Sequence, residues 1–239
     1  MGKGPEPLPS IAYPAWLGAG EPAPPEKDKP APAKDAPAAA DAAKTKLIDD
    51  VLKVKGSADA ADGALVRKEL EKLPVEVLQA FKDRGGSVVV CRGSVVDYKT
   101  DKKDDHPRGW PAGKTWADVP AGRFGDEIVV ATIGHGTAAG AHVPKAGEGH
   151  GSASVVIHEM FHIIDGDGDK SRSKGEDFLK ARTADIDALS AYQKQAGSAG
   201  ERETYAESAA RYYSGDPKSA EKTPHLHAYW ETNPLKPKP

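Results

Sequence analysis

The stretch Ser154-Val155-Val156-Ile157-His158-Glu159-Met160-Phe161-His162-Ile163-Ile164-Asp165-Gly166, apolar on both sides of its polar centre, decides the reading of this chain. It holds His-Glu-x-x-His inside an apolar run, with Ser152 or Ser154 as candidate N-cap and Gly166 at the end. That pattern predicts a largely buried helix over about 153–164. Positions i and i+4 of a helix share a face, so the imidazoles of His158 and His162 can reach one metal ion. Glu159 is rotated by about 100° from His158, which sets it beside the ion, where it can take a proton from metal-activated water. Zinc suits such donors. Two histidines and a glutamate are costly in an apolar helix unless something pairs with them. A surface helix with a coincidental His pair is the plainer alternative, and the apolar flanks on both sides argue against it.

Downstream, Glu203-Thr204-Tyr205-Ala206-Glu207 puts two carboxylates at i and i+4 on another expected helix. A catalytic zinc takes three protein ligands and keeps one position open. One glutamate can be the third ligand, and the other can orient a ligating imidazole through its second nitrogen. The competing reading is a solvated acidic face with Arg202 and Arg211 beside it. Cys91 is the only cysteine, which excludes intrachain disulfides and thiol-ligated zinc clusters.

Further out, Leu47, Ile48, Val51 and Leu52, then Val66, Leu70 and Leu73, then Val77, Leu78 and Phe81 fall at helical spacing. Residues 87–92 and 127–133 read as buried strands rich in valine and isoleucine. Residues 97–126 read as an ordered loop holding Trp110 and Trp116, and 134–151 as a long Gly/His loop. Helices are expected again over 176–195 and 201–213. His135, His142, His150, His225 and His227 read as loop or surface residues, with His227 a candidate secondary oxyanion or substrate contact. Asp165, Asp167, Asp169 and Glu176 occupy positions 1, 3, 5 and 12 of a calcium loop, but Lys170 stands where the turn wants Gly, so a solvated loop is the default.

The chain has 239 residues, enough for one ordinary domain plus tails, with 33 basic and 36 acidic residues and a net charge of −3. No basic excess favours nucleic acid, and no apolar run is long enough to span a membrane. Ten of the 20 prolines lie at or before Pro37. Residues 1–43 are therefore expected to form a Pro/Ala-rich disordered arm, removable without unfolding the rest, interrupted by Ile11, Tyr13, Trp16 and Leu17. Residues 44–239 would form the folded domain, expected to be monomeric. No secretory signal is visible, so secretion would need another route; otherwise the chain would be cytoplasmic.

HEMFHIID (158–165), followed by ERETYAESAARYYSG (201–215), resembles the catalytic domain of anthrax lethal factor and the related Pro-Pro endopeptidases of clostridia. Their motifs read H-E-F-G-H-x-x-D and E-x-F-x-A-E-x-F. RGWPAGKTWADVP (108–120) also looks like the family's segment before the sheet edge. The resemblance covers roughly 45–231 and is specific at the two helices. It implies an α+β, zincin-like metallopeptidase domain: a small twisted sheet beside the active-site helix, and a helical C-terminal subdomain. It implies zinc ligands His158, His162 and Glu203, Glu159 as general base, and Glu207 behind the ligands. A family tyrosine upstream of the ligand glutamate stabilises the oxyanion. The position seven before Glu203 is Ala196, so Tyr192, the nearest upstream tyrosine, is the candidate and requires a shifted loop. Phe161 stands where the family usually has Gly. The substrate would be an extended peptide lying along a sheet edge, with 127–134 the candidate edge. The implied activity is zinc-dependent endoproteolysis by a bacterial toxin, effector or secreted protease. A zinc-containing peptide-binding module without activity is the alternative, against which the intact Glu159 argues.

Overall fold

The alanines before Leu47 favour helix, and α1 (Ala36–Val51) starts within the segment expected to be a disordered arm. In this computed structural model, residues 36–107, 112–232 and 234–235 are described. The rest of the arm, with Tyr13 and Trp16, and also Trp110, lie outside the described residues. The contact-rich unit that holds the site spans Pro37–Pro239.

Helix α1 passes into β1 (Leu52–Val54), followed by α2 (Ala60–Leu70) and α3 (Val75–Asp83). Asp59 caps α2 by accepting from the backbone of Ala61 and Asp62, while Asp62 returns a bond to the backbone of Asp59. Strand β2 (Ser87–Arg92) follows Gly86, where a Cβ would come within 2.5 Å of the Phe81 ring. Strands β3 (Ala121–Phe124) and β4 (Glu127–Thr132) form a hairpin turned at Gly125. The sheet order is β1-β2-β4-β3, with β1, β2 and β4 parallel and β3 antiparallel to β4.

Alternation sorts the strand residues onto two covered faces. Val88, Val90, Ile128 and Val130 join the main core with Leu70, Phe81, Met160 and Phe161. Val89, Cys91, Val129 and Ala131 pack on the other face against Val95 and Val119. Strand β4 therefore lies inside the sheet. The edge expected at 127–134 is instead supplied by β3, whose outer side is open to the cleft described below.

Helix α4 (Val155–Asp165) lies across the main core, capped by Ser154 and ended at Gly166 with φ 79°. A helix expected over 176–195 is only α5 (Glu176–Ala184). Asp185 ends it by turning its carboxylate to the Nδ1 of His225 at 2.7 Å and the backbone N–H of Leu226 at 2.8 Å. After α6 (Ser198–Ser214) and the short α7 (Lys218–Lys222), helix α8 (Pro224–Glu231) adds an element that periodicity did not reveal. Phe161 of α4 sits among Tyr205, Tyr213 and Trp230, with ring centroids 5.2–5.9 Å apart. This aromatic layer fixes α4 against α6 and α8. Among the described residues, no helix is long and apolar enough to cross a membrane.

Candidate active site

Helices α4 and α6 pack face to face, and the polar residues of both facing stripes meet at the floor of a cleft of about 830 Å³. The Nε2 atoms of His158 and His162 face each other at 3.1 Å. The carboxylate of Glu203 lies 3.5 Å from the first and 3.6 Å from the second. Glu207, one turn further along α6, faces the opposite nitrogen of His158: its Oε2 is 3.4 Å from Nδ1, and its Oε1 accepts from Arg211 Nε at 2.9 Å. Nδ1 is buried and makes no aligned hydrogen bond, so Glu207 is the group placed to receive it. The i, i+4 spacing in each helix thus brings together all five residues His158, Glu159, His162, Glu203 and Glu207.

Electrostatics separate the two imidazoles. Burial opposes charge on His158, but Glu203, Glu207 and Glu159 outweigh it and push its pKa up to about 10. Burial and the neighbouring His158 push His162 down to about 4. Burial would raise Glu159, yet His150 and the two other histidines hold it down at about 2. Glu203 and Glu207 are lowered against burial, chiefly by His158. Three carboxylates, Glu159, Glu203 and Glu207, thus converge on two buried imidazoles, a set of donors and charges that suits a divalent cation. His158, His162 and Glu203 each offer one donor atom, all within 4.8 Å of one another, and two imidazoles with a carboxylate are the donor types zinc takes.

The loop after α5 supplies one wall. Gln193 accepts from the backbone and hydroxyl of Ser190, and its carbonyl accepts from Arg182 at 2.7 Å and Thr204 at 3.2 Å. This ties the loop to α5 and α6 and leaves Tyr192 57% exposed, lining the cleft with His162 and Glu203. The helix expected over 176–195 ends before Tyr192, and the break at Asp185 places this residue in the cleft wall. Trp116, Gly122 and Arg123 form the opposite wall along β3. Arg123 donates to the carbonyl of His162 at 3.1 Å and to Asp167 at 3.3 Å, joining the edge strand to the end of α4. Arg202 of α6 also holds Asp167, at 2.8 Å.

The calcium-loop pattern does not assemble. Asp165 is buried and accepts from the backbone and hydroxyl of Ser173, Asp169 pairs with Lys174, and Glu176 is exposed. His227 faces Ser219 and Glu231 rather than the cleft. His150, read as a loop residue, lines the cleft with its Nε2 3.8 Å from Oε1 of Glu159. A lone histidine in a glycine-rich loop carries no periodic signal, so only the tertiary path of the loop reveals it.

A family model described as anthrax toxin lethal factor, N- and C-terminal domain, matches residues 43–231. The chain belongs to this family. The Pro-Pro endopeptidase of Paenibacillus alvei is 29% identical over 113 residues, 46% of this chain and 48% of that protein. The matched stretch thus spans about half the length of that curated relative. The solved structure of the Pro-Pro endopeptidase from Paenibacillus alvei superposes with a TM-score of 0.60 at 25% identity, covering 78% of this chain and 99% of the other. The family domain is therefore the α+β arrangement of small sheet and flanking helices described above.

Proposed function

We propose that the protein is a zinc-dependent endopeptidase. The observation that carries this reading is the convergence of His158, His162 and Glu203 beside Glu159, in a cleft bordered by the open edge strand β3. Family membership and the peptidase names of the relatives support it. His158, His162 and Glu203 would hold the zinc, and Glu207 would accept the Nδ1–H of His158 and so orient that ring. When bound, zinc supplies a Lewis acid that polarises a peptide carbonyl and lowers the pKa of water.

The chain's own groups do the rest. An extended peptide adds to β3 through main-chain hydrogen bonds, which holds its scissile bond over the floor of the cleft. The carboxylate of Glu159 takes a proton from the attacking water and returns it to the leaving amine. Tyr192, on the cleft wall with His162, would donate its hydroxyl to the developing oxyanion. The relative's name makes proline-containing peptides the first substrates to try. Cleavage of such peptides that stops with chelator and returns with zinc supports the reading; cleavage indifferent to chelation overturns it.

A further inference from the structure

His150 is held in one tautomer and aimed at Glu159. Its Nδ1 accepts the backbone N–H of Ser152 at 2.9 Å. An accepting Nδ1 carries no proton, so the ring's N–H is Nε2. That atom lies 3.8 Å from Oε1 of Glu159, while the ring edge packs against His158 with centroids 5.0 Å apart.

The loop around it is fastened at both ends. Gly147 N–H donates to the carbonyl of His150 at 2.7 Å, closing a tight turn. Gly149 has φ 81°, and a Cβ there would lie 2.9 Å from Cδ of Pro120, the residue before β3. The glycine thus lets the loop lie against the start of the edge strand, which sets the height of His150 above α4.

We propose that His150 is a positioning residue for the general base: its Nε2–H donates to Oε1 of Glu159 and leaves Oε2 free to accept the proton. The contact is longer than a hydrogen bond in the free protein and shortens when substrate fills the cleft, as catalytic hydrogen bonds often do. The proposal rests on the peptidase reading above.

The test compares wild type with His150→Ala, His150→Gln and Gly149→Ala, each checked for zinc content and melting temperature. His150→Ala should lower kcat by about 10–100-fold with zinc content kept, and KM should move by less than about threefold. His150→Gln should recover most of the loss, because its amide N–H reaches in the same direction. Gly149→Ala should lower kcat in the same way while remaining folded. An unchanged kcat, a rise confined to KM, or a Gln variant no better than Ala overturns the proposal. Independently of activity, nitrogen NMR of histidine-labelled, metal-free protein should show His150 as the Nε2–H tautomer. The Nδ1–H tautomer overturns the proposal even in an active enzyme. A wild type that cleaves no peptide contradicts the peptidase reading, and the tautomer still decides whether His150 can donate to Glu159.

Discussion

Glu159 and Glu207 are both buried carboxylates beside His158, yet they face different groups, His150 and the cleft for the first, Nδ1 of His158 and Arg211 for the second. Glu159 faces the cleft, so Glu159→Gln should keep fold and zinc and lower kcat by at least about 10²-fold, since the amide cannot accept a proton. Steady-state kinetics alongside zinc analysis checks this. Glu203 faces both Nε2 atoms and Glu207 faces Nδ1. Glu203→Ala should therefore cost most of the zinc affinity and all measurable activity. Glu207→Ala should cost about 10–100-fold in affinity or activity, as the loss of a group that orients a ligand does. Competitive zinc titration of the two variants separates the roles; a larger loss for Glu207→Ala would reverse them.

At the scale of elements, the frame behind the site depends on Asp62. Its carboxylate, 1% exposed, accepts from Thr132 at 2.6 Å and from Arg92 at 2.5 Å, and lies 3.0 Å from Nε2 of His135. It joins α2 to the ends of β2 and β4. Burial opposes its ionisation, but these hydrogen bonds outweigh it and hold the pKa at about 2 against a usual 3.8. A depressed carboxylate stabilises the fold above its unfolded pKa and loses that contribution as pH falls from about 4 towards 2. Asp62→Asn should cost on the order of 2 kcal/mol at neutral pH, with the gap from wild type closing through that acid window in urea unfolding. The helices of the site were legible in the sequence because their apolar and polar residues keep the 3.6 period: α4 by its apolar flanks, α6 by Glu203 and Glu207. Strand β3 was not, since Ala121-Gly122-Arg123-Phe124 has no β-branched residue and is a strand because it pairs with β4. Leu179, Ile186 and Leu189 keep helical spacing across a break that Asp185 makes for the sake of α8, a contact between residues 40 and 41 positions apart. His150 escaped for the same reason: its place over Glu159 is set by how a glycine loop meets Pro120.

At the scale of the molecule, the donors proposed for zinc come from two helices that only the folded core brings together. Metal binding should therefore stabilise the fold, by about 4 kcal/mol at a free zinc concentration 1,000 times Kd. Chelation should lower the melting temperature of wild type and shift Glu203→Ala much less; equal shifts would mean that zinc binds elsewhere. The measurement that bears most directly on the whole account is mass-spectrometric cleavage of a proline-containing peptide library by the metal-free chain, before and after one equivalent of zinc. The account predicts no cleavage before, and defined internal cleavage that appears with the first equivalent and is absent in Glu159→Gln. Cleavage of equal extent without zinc, or a folded, zinc-loaded chain that cuts no peptide in the library, would contradict it.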